Sequence, residues 1–366
     1  MRVLMGMPDK DSWGGPIYCE PPFVEALRQA GVEVDEEVYV YGDKGGPTTT
    51  MGRVSRVLAS ARALRRRTRS VQYDLVHLNT SFDEKCVLRD LTTLYFLRSS
   101  KVPVYLKMHG SIARFLETKS PIWRFLQKRI FALANGIGVL STEERDNFVR
   151  VGCPPEKLSA AKLAVPAGDQ KDPAFRSRHN IDAEAPILLF SSRFLRSKGL
   201  LDVIAACGEL KDRGRTFILF CLGDGPARPE AEKLVDELRL RDNVRFFGYI
   251  PEVKTNAFHA NSTILVFPTY HDEGFPVVVL KSLASGLPMI TTRIRAAADH
   301  LAEPENCLWA KPRDAVGLAE RIALLLDDAT LRAAMSVNNR QLAVHFSPAS
   351  VANEYVGIYV SIVSRR

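Results

Sequence analysis

Short apolar runs recur along the chain, separated by longer segments whose apolar residues fall at helical spacing. In the first half, residues 2–7, 73–78, 102–108 and 136–140 read as buried strands, and residues 32–41 alternate as another. In the second half, the runs at 187–190, 216–222, 244–247, 263–267 and 288–292 repeat the pattern. Helical stretches lie between them. One covers 22–31 and ends at Gly31, and another covers 53–69. A third follows Ser141-Thr-Glu-Glu144, which has capping-box spacing, and a fourth carries the stripe Leu200, Leu201, Val203, Ile204, Cys207. Alternation of this kind through both halves predicts two doubly wound parallel sheets. Residues 166–186, rich in proline, glycine and charge, interrupt the rhythm and read as an inter-domain connection. The last helix begins after Phe346-Ser347-Pro348, and its stripe of Val351, Tyr355, Ile358 and Ile362 requires a covering surface.

Composition alters this picture little. The 366 residues suffice for two ordinary domains, and 46% apolar with 25% charged residues is the balance of a globular protein. Six dispersed cysteines form no C-x-x-C pair, so a reduced cytoplasmic setting without structural zinc is expected. The first residues turn polar too soon for a signal peptide, and nothing approaches the ~18 apolar residues of a membrane span.

Charge adds more. The net charge of +8 is uneven, with 25 Lys and Arg against 18 Asp and Glu in residues 1–165. A basic half suggests an anionic surface or substrate. Arg62, Arg65, Arg66, Arg67 and Arg69 crowd one predicted helix end beyond what its dipole needs. Contact with anionic lipid at the inner face of a plasma membrane is the expectation there, against an ordinary solvated helix end. No aromatic-interleaved basic stripe or other nucleic-acid motif is present.

Four places carry candidate chemistry. After the run at 263–267 come His271, Asp272 and Glu273, then Gly274-Phe275-Pro276, with Pro276 suited to a first helical turn and Gly286 to a left-handed cap. Such a loop lies at the carboxyl end of a strand, where open α/β sheets bind ligands, and a helix N-terminus there suits a phosphate. Glu273 fits either a helix-dipole acid or a holder of hydroxyls attached to that phosphate. Arg193 and Lys198 flank another strand-to-helix loop, as a diphosphate clamp or as plain surface charge. His109, backed by Gly110 at a strand end, is either a ligand-facing group or a hydrogen-bonded core histidine. Gly14-Gly15 after the first strand lets the backbone approach a ligand or simply turn. Neither a G-x-G-x-x-G opening a helix nor a G-x-x-x-x-G-K-[ST] loop occurs.

The order Gly14-Gly15, His109-Gly110, R-x-x-x-x-K-G at 193–199, Gly223-Asp-Gly-Pro226 and E-G-F-P…A-S-G-L-P-x-I-T-T at 273–292 resembles glycosyltransferase family 4. That resemblance spans the chain and is strongest over 187–310. It implies a retaining, nucleotide-sugar-dependent transferase of the GT-B fold: two Rossmann-like domains facing a central cleft, with a C-terminal helix crossing back. The implied bounds are 1–165 with 347–366 on the acceptor side and 187–346 on the donor side. It further implies that Arg193 and Lys198 hold the donor diphosphate, assisted by the Gly14-Gly15 loop and the backbone of Gly274, Phe275, Pro276 and Val277. Glu273 would accept hydroxyls of the transferred sugar, His109 would lie over that sugar, and Tyr249 and Ile250 would border the nucleobase. No metal or other cofactor is implied. The sequence departs from the family where a second glutamate, binding ribose, is usual: Lys281 stands there.

The expectation is therefore a hexosyltransferase acting on a glycan or lipid-linked acceptor in surface polysaccharide synthesis. A nucleotide-sugar epimerase shares the fold, and Lys281 is the argument for a third alternative, a non-catalytic sugar-nucleotide-binding subunit.

Overall fold

Val3, Leu4 and Met5 have no solvent exposure, because the strand that carries them runs between two others in a sheet covered on both faces. A computed structural model describes residues 1–9, 14–39 and 49–365. Its contacts divide the chain into two units: Met1–Val165 with Asp272–Phe275 and Phe346–Arg366, and Pro166–His271 with Pro276–His345.

The first unit holds β1 (Arg2–Met7), β2 (Glu33–Val38), β3 (Leu75–Phe82), β4 (Val104–Ser111), β5 (Gly136–Val139) and β6 (Leu158–Ala160). They form one parallel sheet in the order β2-β1-β3-β4-β5-β6. Its helices are α1 (Gly15–Gln29), α2 (Thr50–Ser70), α3 (Glu84–Leu97), α4 (Ala113–Leu116), α5 (Pro121–Leu133) and α6 (Thr142–Arg150). The second unit holds β7 (Ile187–Ser191), β8 (Ile218–Leu222), β9 (Val244–Gly248), β10 (Ile264–Phe267), β11 (Met289–Thr291) and β12 (Leu308–Trp309), in the parallel order β12-β11-β10-β7-β8-β9. Its helices are α7 (Phe175–Arg178), α8 (Leu200–Asp212), α9 (Arg228–Glu237), α10 (Glu252–Asn261), α11 (Val277–Ser285), α12 (Arg295–His300), α13 (Ala315–Asp327) and α14 (Ala329–Ala343).

Several expectations change. α1 begins at Gly15, not at residue 22, and contains Pro21 and Pro22. Burial of Tyr18, Cys19, Phe23, Val24 and Leu27 along its length outweighs the prolines' missing donors. The alternation expected over 32–41 gives β2 as Glu33–Val38, and residues 40 and 41 lie outside the described residues. β6 and β12 went unread because three and two residues carry no apolar period. Residues 166–186 cluster with the second unit, where Phe175 packs edge-on to Phe258 at 5.4 Å. The capping pair is present: Ser141 Oγ accepts the Glu144 N–H at 3.1 Å, but the Glu144 carboxylate turns to the Leu140 N–H and Ser111 Oγ.

α15 (Pro348–Ser364) belongs to the first unit and packs along α1. Val351, Tyr355 and Ile362 are buried as the stripe required, while Ile358 is only half-buried. Tyr359 takes its place in the core, and its hydroxyl bonds His77 Nδ1 on β3.

Candidate active site

In the second unit the strand order reverses between β7 and β10, the position where doubly wound sheets bind ligands beyond their carboxyl ends. The loop after β7 is held by the loop after β8. Phe194 N–H donates to Asp224 O at 2.8 Å, and Phe194 O accepts from Ala227 N at 2.9 Å. Gly223 permits this, since its φ is 127° and a Cβ there would lie 1.8 Å from Ser192 O. The same loop is tied to the exit of β10: Ser197 O accepts the Tyr270 N–H at 2.8 Å, and Ser197 Oγ lies 3.0 Å from His271 Nδ1. Lys198 is thereby seated in the protein at 5% exposure, while Arg193 reaches solvent and the intervening Arg196 is taken by Glu230 at 2.8 Å.

α11 starts one residue later than expected. Pro276 is its N-cap, with an extended ψ of 123°, and Val277 is the first helical residue. The N–H groups of Val277 and Val278 have no hydrogen-bond partner among the described residues, so this end is open to an anion. The chain leaves α11 at Gly286 with φ 64°, as the sequence predicts.

Lys281 does not reach toward a ligand. Its ammonium donates to Glu252 Oε2 at 2.6 Å, Glu252 O at 2.7 Å and Thr255 Oγ1 at 2.7 Å, with the side chain 2% exposed. Three protons meet three acceptors at the start of α10, so this ammonium is not free to take the place of the ribose-binding glutamate. Tyr249, half exposed, and Ile250 lie just before Glu252 in the loop after β9, and burial followed by the Glu252 charge raises the Tyr249 phenol.

In the first unit, β3 and β4 place Asn79 and His109 side by side, with His109 Nε2 3.0 Å from Asn79 Oδ1. The Asn79 amide donates to Gly6 O at 3.1 Å, which turns its oxygen to the histidine and puts the ring proton on Nε2. Burial, then Lys107, then His77 hold the His109 pKa well below the usual histidine value, so the ring is neutral. Lys107, on the same strand, has no exposure and pairs at 2.7 Å with the equally buried Glu20 of α1, beneath the rings of Phe23 and Tyr355. Glu20 Oε1 is also 3.5 Å from His109 Nε2, and Glu20 Oε2 has no partner among the described residues. The sequence reading missed Glu20 and Asn79. The signal was Lys107 itself: a lysine within the apolar run of 102–108 must bury beside a carboxylate.

The segment Asp272–Phe275 groups with this unit. Gly274 lies against the end of β4, where a Cβ would stand 2.8 Å from His109 O and 2.6 Å from Leu140 Cδ1. From the other side, a Cβ on Gly110 would be 3.2 Å from the Gly274 nitrogen. Two glycines far apart in sequence thus bring the backbone of the half-buried Glu273 to the end of β4, its carbonyl carbon 3.9 Å from where a Cβ on Gly110 would stand. Gly14 caps α1 with φ 113°, and a Cβ there would meet nothing nearer than Pro16 at 3.9 Å. Gly15 opens the helix, and Ser12 and Trp13 before it lie outside the described residues. Among the described residues, no three His, Cys, Asp or Glu side chains are grouped as metal ligands.

Two family models tile this architecture: Glycosyltransferase Family 4 matches residues 22–165, and Glycosyl transferases group 1 matches residues 171–342. The chain belongs to the family 4-type glycosyltransferases. This glycosyltransferase is 27% identical over 278 residues to the alpha-D-kanosaminyltransferase of Streptomyces kanamyceticus, covering 71% of each chain. It is 31% identical over 197 residues to the lipopolysaccharide core biosynthesis glycosyltransferase LpsD of Rhizobium meliloti, covering 53% of this chain and 55% of LpsD. Its fold is that of HepE from Anabaena, solved with UDP-glucose, at a TM-score of 0.76 and 15% identity over 99% of this chain and 100% of the other. No helix of the described residues is long and apolar enough to cross a membrane.

Proposed function

We propose that this glycosyltransferase moves a hexosyl group, with retention of configuration, from a nucleoside diphosphate sugar to a glycan or lipid-linked acceptor in surface polysaccharide synthesis. The observation that carries the reading is the convergence at the β7/β10 reversal of the Arg193–Lys198 loop with the chain that leads into the open end of α11. In the transfer, the bond between the anomeric carbon and the diphosphate oxygen breaks, and its electron pair leaves with that oxygen. Arg193, Lys198 and the first N–H groups of α11 meet the developing charge with dipoles already in place. The acceptor oxygen forms the new bond on the same face, and its proton passes to the departing diphosphate. His109, neutral and with a basic Nδ1, accepts from a sugar hydroxyl, as does Glu273. Tyr249 and Ile250 border the base. No role at the donor falls to Lys281. The likeness to a UDP-glucose complex and to a lipopolysaccharide glycosyltransferase supports this donor and acceptor class.

The acceptor class brings the enzyme to an anionic bilayer through the basic half of the chain.

A panel of nucleotide sugars, with and without a lipid-linked oligosaccharide acceptor, tests the reading. Nucleoside diphosphate released only when acceptor is present is the expected result. Conversion of the free donor to another sugar nucleotide would establish an epimerase instead, and binding without turnover of any donor a non-catalytic subunit.

A further inference from the structure

Arg62, Arg65, Arg66 and Arg69 fall at i, i+3, i+4 and i+7 of α2, so all four guanidinium groups leave the helix from one narrow face. Like charges at these spacings work against the helix. Neighbouring carboxylates would normally offset that, yet among the described residues none pairs with any of the four. Arg67, on another face, does pair, at 3.7 Å with Asp35. The four arginines, with Ser70 and Phe96 of α3, line one open cavity of about 420 Å³. Arg65 stacks over the Phe96 ring at 5.9 Å, and its Nε is shut off from solvent without a hydrogen-bond partner among the described residues. The helix end explains part of this charge, but the macrodipole effect is confined to the last turn, and Arg62 lies two turns before the end at Ser70.

The position separates this pocket from the transfer chemistry. α2 runs down to the start of β3, and α3 to the start of β4. Both helix ends therefore lie at the amino edge of the sheet, opposite the carboxyl edge that carries His109.

We propose that this pocket is a second anion site, taking a phosphoryl group in the fork of Arg62, Arg65, Arg66 and Arg69, with Phe96 beneath the group attached to it. Guanidinium groups suit phosphate oxygens because they donate in planar pairs. A lipid headgroup and a soluble phosphate ester share that chemistry.

The test uses the whole chain and the variant Arg62→Gln/Arg66→Gln/Arg69→Gln, which keeps helix propensity and removes mutual repulsion, so its melting temperature should not fall. Two comparison variants accompany it: Arg124→Gln/Lys128→Gln, which removes positive charge elsewhere on the same unit, and Lys198→Ala at the donor loop. One arm titrates inorganic pyrophosphate by calorimetry; the other pellets phosphatidylcholine vesicles containing roughly one-quarter phosphatidylglycerol. Pyrophosphate affinity at least about tenfold weaker in the arginine variant alone supports the site with a soluble ligand. Vesicle binding lost in the arginine variant and kept in the Arg124/Lys128 variant, with no pyrophosphate binding, supports it with a lipid headgroup. Pyrophosphate binding lost only in Lys198→Ala places the anion at the donor loop and overturns the proposal. Equal binding by the wild type and the arginine variant in both arms, or equal loss in the Arg124/Lys128 variant, overturns it as well.

Discussion

Lys198 and Lys281 are both lysines on the second unit, both nearly buried, and their surroundings set them apart. Lys198 is presented by a loop that Gly223 and Phe194 tie to the loop after β8, at the carboxyl edge of the sheet. Replacing it with alanine is expected to lower turnover by about 10²-fold or more with a small change in melting temperature. Steady-state kinetics with a verified donor check this, and a near-wild-type kcat would remove the phosphate role. Lys281 is instead a structural cation whose three bonds fix the start of α10. Lys281→Glu would set a buried carboxylate against Glu252, so a loss of about 3 kcal/mol or more is expected in urea unfolding, with weaker donor binding following from it. An unchanged midpoint would contradict the placement. Sequence alone read the type of residue 281 and its departure from the family, but not its partner, because Glu252 is 29 positions away and only the packing of α10 on α11 joins them. The same holds for Glu20 and Lys107, separated by 87 positions.

At the scale of elements, periodicity told most of what it can tell. Ten of the strands were legible as apolar runs; the ends of β3 and β4 were not. Both strands run on through the polar residues Asn79, Thr80, His109 and Ser111, which interrupt the apolar run by which a buried strand is read. The α1 start was hidden by Pro21 and Pro22, and with it the burial of Glu20. The Asp272–Phe275 loop is legible as a motif, but its seat is not, since that depends on the absence of a Cβ at both Gly110 and Gly274. Gly274→Ala is therefore expected to push the loop off the end of β4, lowering kcat by about 10–100-fold at a stability loss of about 1–3 kcal/mol. Parallel measurement of kcat and the unfolding midpoint distinguishes this from simple destabilisation; an unaltered kcat would mean that Glu273 acts without that seat.

Across the whole molecule, His77 and His259, both buried, and His109, whose side chain is 6% exposed, share one electrostatic sign. Burial first, then a nearby lysine, holds each pKa well below the ordinary value of 6.5. Folded, they stay neutral; unfolded, each takes up a proton as the pH drops through about 6.5. Their contribution to stability is thus complete above that pH and is lost below it, at up to about 1.4 kcal/mol per pH unit for each. Melting temperature should be level from pH 8 to 7 and fall steeply from 6.5 to 5, before most carboxylates titrate. A flat profile would mean that these rings already carry protons in the fold.

The central claim, that a donor diphosphate is bound by Arg193 and Lys198 at the β7/β10 reversal, is tested most directly by calorimetric titration of nucleoside diphosphates into the wild type, Arg193→Ala and Lys198→Ala. The account predicts that one nucleoside diphosphate binds the wild type, that its monophosphate binds at least about tenfold more weakly, and that each variant loses the difference. Equal affinity for the diphosphate and the monophosphate, or variants that bind as the wild type does, would contradict it.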